Sequence, residues 1–139
     1  MKNLLLLTFI ICFSSITIFA QKTYTTKRIS GSTPKIDGQL NDKAWDLIEW
    51  ETNFTQFQPD NGSAPSQKTF FKILYDDNNI YVAIKMLDTE ADKIVKRLSR
   101  RDAWDGDIAG IQIDSYNDKQ TSFCFIVSAA GVKMMVFLP

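Results

Sequence analysis

The stretch that decides the fold of this chain is KIDGQLNDKAW, residues 35–45. Asp37 and Gly38 favour a turn, because glycine tolerates a positive φ and aspartate bonds to the backbone two residues further on. Asn41 is placed to cap a short helical turn by accepting backbone N–H bonds, and that turn would carry Trp45 inward. The stretch holds no obvious catalytic group, and it predicts the entry into a β-fold that buries Trp45.

Short segments with alternating apolar residues follow, and turn residues separate them. They predict strands over residues 68–75, 80–87, 108–116, 120–128 and 132–138. Residues 88–101 are charged, and Ile94, Val95 and Leu98 have the spacing of a short helix. These elements predict an all-β fold, namely an antiparallel jelly-roll-like β-sandwich with short helical turns.

The chain changes character twice along its length. Residues 1–20 have a basic start, an apolar run and a small residue at the end, which predicts a signal peptide and export to the periplasm, the outer membrane or the medium. Residues 21–34 form a polar lead-in, and residues 35–139 form the predicted sandwich. The apolar run over 134–139 stops within a strand or turn and would expose a sheet edge, so we expect the sandwich to be incomplete.

The composition excludes several classes of function. The chain has 16 basic and 16 acidic residues, which gives no electrostatic case for binding nucleic acid. Histidine is absent, which excludes Ser-His-Asp, Cys-His and His-zinc chemistry for this chain. Beyond the predicted signal peptide Cys124 is the only cysteine, so we expect no internal disulfide and interpret Cys124 as a small core residue.

Several short motifs follow one another along the chain in a characteristic order. They are IDG over 36–38 with Leu40, Asp42 and Trp45, residues 72–76 and 80–82, Asp88, RRD over 100–102, Asp107, IDSYND over 113–118, Phe123, Phe125 and AGV over 130–132. In this order and spacing the motifs resemble those of the family 9-type carbohydrate-binding modules and, more narrowly, those of the N-terminal domain of exported Bacteroidota proteins that continue into a β-barrel-like region. The resemblance implies an antiparallel jelly-roll sandwich, sugar binding and, in some relatives, structural calcium.

The chain also departs from that family pattern. Met134 stands where the narrower family usually places an acidic residue. The two tryptophans that hold a terminal sugar in binding members have no clear counterparts here. The residues of a sugar site therefore have to be sought in the chain itself.

The carbohydrate-contact candidates are Trp104, Arg101, Asp102 and Trp50. Trp104 lies in a polar segment, where a flat aromatic ring suits the apolar C–H face of a sugar. Arg101 and Asp102 can bond to sugar hydroxyls, or they can form a structural clamp between loop and sheet. Trp104 can alternatively pack on the rim of the sandwich, and Trp50 can stack on either side of the segment that it enters.

Asp102, Asp105 and Asp107, with the carbonyl of Gly106, could ligate Ca²⁺, which prefers several oxygen ligands. Their spacing is not that of an EF-hand, because no glutamate follows at the twelfth position. Calcium is the one cofactor that the sequence suggests.

Three hypotheses for function follow. The first is non-catalytic binding of a mono- or oligosaccharide by an exported module, serving carbohydrate catabolism through an attached hydrolase. The second is a structural periplasmic domain of an outer-membrane β-barrel protein, without sugar affinity. The third is an accessory domain of a glycoside hydrolase whose catalytic part lies elsewhere. We expect no enzyme activity in the chain itself, because nothing marks a carboxylate pair as buried with a raised pKa.

Overall fold

The computed structural model describes residues 22–103 and 105–139, and its regular structure consists mostly of strands. The strands are β1 Lys27–Arg28, β2 Thr69–Tyr75, β3 Ile80–Met86, β4 Ile108–Ile113, β5 Ser122–Ser128 and β6 Lys133–Leu138. They form two three-stranded sheets with the orders β1-β2-β3 and β4-β5-β6. The only helical elements in the described residues are two 3₁₀ turns, Lys43–Leu47 and Ala91–Lys93. The prediction of an all-β fold with short helical turns is confirmed.

The first sheet is a hairpin with one short parallel strand added to its edge. β2 and β3 pair antiparallel, and β1 pairs parallel with the end of β2. The Asp76 carboxylate closes the hairpin turn by accepting bonds from the backbone N–H groups of Asn78, at 2.8 Å, and Asn79, at 2.7 Å. The predicted lead-in therefore contributes a strand to this sheet.

The core of the first sheet lies under the Lys43–Leu47 turn. Leu74 is fully buried and Trp45 is only 4% exposed. The buried cluster is completed by Ile29, Ala44 and Ala83. The prediction that Trp45 is a core residue is confirmed, since the short turn places it against the face of β2 that also carries Leu74.

The prediction that Asn41 caps this turn is wrong. Asp42, not Asn41, precedes the first helical residue, and its side chain makes no capping bond. Instead an Asp42 oxygen accepts the backbone N–H of Lys35 at 3.2 Å. The upstream turn is confirmed, because Gly38 has φ +83° and Asp37 accepts the N–H of Gln39 at 2.9 Å.

The second sheet presents one strongly apolar face. In the register of β4, β5 and β6, Ile111 lies opposite Phe125, and Phe125 lies opposite Met135. The same face carries Ala109, Ile113, Phe123, Val127 and Phe137, with Lys133 opposite Val127 at the start of β6. Met135 is 57% exposed and Phe137 is 50% exposed. The described residues thus leave much of this face accessible.

The predicted helix within residues 88–101 is wrong. Only Ala91–Lys93 forms a single 3₁₀ turn, and Leu98 is exposed. The reason is a competing partner, because the backbone groups of Val95 bond to Asp107 rather than to residues one turn away. The described residues include no helix with the length and apolar character needed to cross a membrane.

Candidate functional site

The segment that carries most of the predicted site is the 96–106 loop, which is closed at its base. The Asp107 carboxylate accepts the N–H of Val95 at 2.8 Å, and the Asp107 N–H donates to the Val95 carbonyl at 3.3 Å. Gly106 has φ +81°, and a Cβ there would collide with the carbonyl oxygen of Val95. The close approach of the two ends of the loop thus requires glycine at this position.

Asp102 ties the middle of the loop to the edge of β6. Its carboxylate accepts the N–H of Met135 at 3.2 Å, and its own N–H donates to the carbonyl of Lys133 at 3.4 Å. Asp102 also has φ +63°, a conformation that aspartate tolerates better than most residues. These contacts support the clamp interpretation of Asp102, since they cover an edge that would otherwise expose unpaired backbone groups.

The two charged neighbours on the loop remain accessible. The Arg101 side chain is 74% exposed, and its Nε lies 3.6 Å from an Asp102 oxygen. Asp105 lies 3.8 Å from the Arg97 guanidinium. Trp104, the predicted stacking residue, lies outside the described residues. The loop therefore offers an exposed guanidinium on the segment that contains Trp104.

The three predicted calcium ligands have separate partners. Asp102 binds the β6 backbone, Asp105 faces Arg97, and Asp107 binds the Val95 backbone. Among residues 22–103 and 105–139, no group of three or more His, Cys, Asp or Glu residues could hold a metal ion. The described donor set does not fit calcium as it stands, and the calcium site stays a prediction.

Trp50, the fourth sugar-contact candidate, packs against the core of the first sheet. The ammonium of Lys72 lies 4.8 Å from the centre of its ring, in a cation–π contact. Lys72 is itself buried and donates to the carbonyl of Trp45 at 2.6 Å. One face of the Trp50 ring is therefore occupied by a protein cation, which favours a packing role for this tryptophan.

The buried Lys72 is a feature that the sequence analysis missed. Its signal is a lysine inside the apolar segment FFKIL of β2, where a solvent-exposed position would be the usual interpretation. The indole Nε1 of Trp45 is also buried and finds no hydrogen-bond acceptor among the described residues. The core under the 3₁₀ turn thus contains two polar groups with few partners.

The hairpin turn of the first sheet holds a carboxylate whose pKa is shifted. The hydroxyl of Tyr81 donates to Asp76 at 2.7 Å. This bond, together with the backbone N–H bonds of Asn78 and Asn79, lowers the pKa of Asp76 below its ordinary value. The same Tyr81–Asp76 bond raises the pKa of Tyr81. Because the oxygens of Asp76 are satisfied by these donors, we interpret the arrangement as a structural turn.

One comparison with known proteins identifies a family, and its match covers most of the chain. No curated protein and no solved structure matches the chain. The model of the carbohydrate family 9 binding domain-like family matches residues 36–129, which span the Lys43–Leu47 turn and strands β2 to β5. The match covers more than half of the 139 residues, and the chain therefore belongs to the carbohydrate family 9 binding domain-like family.

Proposed function

We propose that this chain binds a glycan without breaking a bond, and that the 96–106 loop carries the contact. The observation that supports the proposal most directly is the family match, because family 9-like domains are carbohydrate-binding modules rather than enzymes. The match spans the entire 96–106 loop.

In this proposal Trp104 stacks on the apolar face of a sugar ring, and Arg101 bonds to its hydroxyls. The Arg101 side chain supports its part, since it is 74% exposed. Asp102 acts as a positioning residue that holds the loop on β6 through the Met135 N–H. Trp50 packs in the core of the first sheet, where Lys72 occupies one face of its ring.

A panel of neutral oligosaccharides titrated into the full chain tests the proposal. We expect at least one glycan to bind, Trp104→Ala to abolish that binding, and Trp104→Phe to retain part of it, because a phenyl ring still offers a stacking face. Binding that is equally strong in Trp104→Ala would show that the sugar lies elsewhere. Absence of binding to every glycan would overturn the proposed function.

Export of the chain, and an attached hydrolase or barrel region, belong to the same proposal. The predicted signal peptide over residues 1–20 supports export. A bound glycan would then serve to keep an attached domain near its carbohydrate. Detection of the chain in the extracytoplasmic fraction, with Ala20–Gln21 cleaved, is the expected result, and recovery of the uncleaved chain from the cytoplasm would contradict it.

A structural domain without sugar affinity is a second candidate, and one observation favours it. The apolar face of the second sheet includes Phe125, Val127, Met135 and Phe137, each at least partly exposed. Contiguous apolar patches of this kind mark surfaces that other protein packs against. In that case Trp104→Ala would lower the melting temperature, and no glycan would stabilise the fold.

A further inference from the structure

A cleft on the first sheet, remote in sequence from the 96–106 loop, has the make-up of a ligand site. It lies between the segment that follows β1 and the Lys43–Leu47 turn, and its volume is about 480 Å³. Pockets that hold small ligands have volumes of roughly 300–1,000 Å³. The lining residues that bear on a ligand are Arg28, Ser30, Ser32, Thr33, Asp42, Lys43 and Leu47.

The walls of this cleft combine the groups that a sugar requires. Ser30, Ser32 and Thr33 supply three exposed hydroxyls along one wall. Leu47 is partly exposed and supplies apolar surface on the other wall. Hydroxyl groups beside apolar surface suit a ligand whose own surface alternates O–H groups and C–H faces.

The charges of the cleft favour an anion. Two cations, Arg28 and Lys43, line it against one carboxylate, Asp42, which already accepts the Lys35 N–H. Lys43 forms no ion pair with another residue in the described ranges.

The ion pair that Arg28 makes does not remove it from this role. Its partner is Asp77, and the two side chains are 54% and 77% exposed. Such an exposed pair is weak, and only one nitrogen of the guanidinium is engaged, so further donors remain for a ligand oxygen.

We propose that this cleft binds an anionic sugar unit, one that carries a carboxylate or a sulfate group, through Arg28 and Lys43. The inference rests on the proposed function, because it names a glycan as the ligand, but it uses a different part of the fold. The serine and threonine hydroxyls would fix the sugar, and the two cations would select its charge.

The test compares matched trisaccharides on the full chain by calorimetric titration at low and high salt. The probes are a galacturonic-acid trisaccharide, a sulfated galactose trisaccharide and the neutral galactose trisaccharide. We expect at least one acidic probe to bind about tenfold more tightly than the neutral one at low salt, as one charge-assisted bond provides. The preference should shrink as salt rises, and the stronger acidic probe identifies carboxylate or sulfate as the group.

Three variants test which residues cause the preference for the acidic probe over the neutral one. Lys43→Gln and Arg28→Gln should each remove most of it, while the affinity for the neutral probe stays unchanged. Asp77→Asn is the matched control, since it breaks the same ion pair but leaves the Arg28 charge in place, and it should preserve or increase the preference. Melting temperatures confirm that all three fold.

The outcomes separate this inference from the proposed function. Equal affinity for acidic and neutral probes would overturn the anionic cleft and leave glycan binding intact. A preference that survives both Lys43→Gln and Arg28→Gln would overturn it as well. Absence of binding to every probe, with no glycan bound in the neutral panel, would overturn both.

Discussion

At the scale of single residues, Gly106 makes the sharpest prediction about stability. A side chain there meets the Val95 carbonyl as well as an unfavourable φ of +81°. We expect Gly106→Ala to lower the free energy of unfolding by about 2 kcal/mol or more in urea titrations, because a left-handed alanine alone costs roughly 1–2 kcal/mol. Gly38→Ala is the matched control, with φ +83° and no atom within 4 Å. Equal losses in the two variants would show that the Val95 contact contributes nothing.

Lys72 makes a second prediction at this scale. Lys72→Ala removes the donor to the Trp45 carbonyl and the packing of the lysine stem, so we expect a loss of about 1–3 kcal/mol, as for a buried group left unpaired. Lys72→Met loses the charge and the donor to the Trp45 carbonyl but keeps an apolar stem of similar length, so it should cost less than Lys72→Ala. Chemical denaturation of both variants measures the difference. A larger loss for methionine than for alanine would contradict this role of the stem.

The carboxylates of the two tight turns predict how stability depends on pH. The Tyr81 hydroxyl lowers the pKa of Asp76, and the Thr121 N–H and hydroxyl lower the pKa of Asp118, each from an ordinary value of 3.8. A carboxyl whose pKa falls on folding stabilises the fold above its unfolded pKa, and this contribution is lost as the pH falls through the lower folded pKa. We therefore expect the free energy of unfolding, measured by urea titration, to fall less steeply below about pH 4 in Asp118→Asn than in the unmodified protein. An equally steep fall in both proteins would contradict the role given to Asp118.

At the scale of elements, substitutions of Asp102 distinguish the two roles that the sequence left open, namely contact with a sugar and a clamp between loop and sheet. Asp102→Asn keeps an oxygen that can accept the Met135 N–H and tolerates φ +63°, so it should keep the stability of the β6 edge. Asp102→Ala loses both and should lower the melting temperature. If Asp102→Asn nevertheless loses glycan affinity at unchanged stability, then Asp102 contacts sugar directly rather than positioning the loop.

The elements also show what the sequence could and could not predict. The hairpin of β2 and β3 and the burial of Trp45 follow from local alternation and turn residues, which act within a few positions. The helix expected around Val95 does not form, because the Val95 N–H bonds to Asp107, which lies twelve residues further along the chain. The burial of Lys72 depends on a carbonyl from a separate element, which no local pattern contains.

In the candidate site, too, the local features could be predicted and the contacts with distant residues could not. The sequence placed charged and aromatic residues on one loop, and the closed base at Val95 and Asp107 agrees with a single loop. It could not show that Asp102, Asp105 and Asp107 have three different partners, which are the Met135 N–H of β6, the Arg97 side chain and the Val95 backbone. Likewise, the cation over Trp50 comes from β2, outside the sequence neighbourhood of that tryptophan.

At the scale of the whole molecule, the apolar face of the second sheet predicts association with apolar probes. Met135 is among its most exposed side chains, and it pairs with Phe125 across the sheet. We expect the protein to bind an environment-sensitive apolar dye and Met135→Lys to reduce that binding at little cost in stability. Asn61→Lys, in an exposed loop, adds the same charge away from this face and serves as the control. Dye binding that Met135→Lys leaves unchanged would show that this face is covered.

Measuring affinity and melting temperature together in Trp104→Ala decides whether the chain is a glycan-binding module that uses Trp104. We expect the affinity for the best neutral glycan to fall by more than about tenfold, as the loss of a stacking face implies, while the melting temperature stays the same. A fall in melting temperature with unchanged affinity would overturn the proposed function and identify Trp104 as a packing residue of a structural domain.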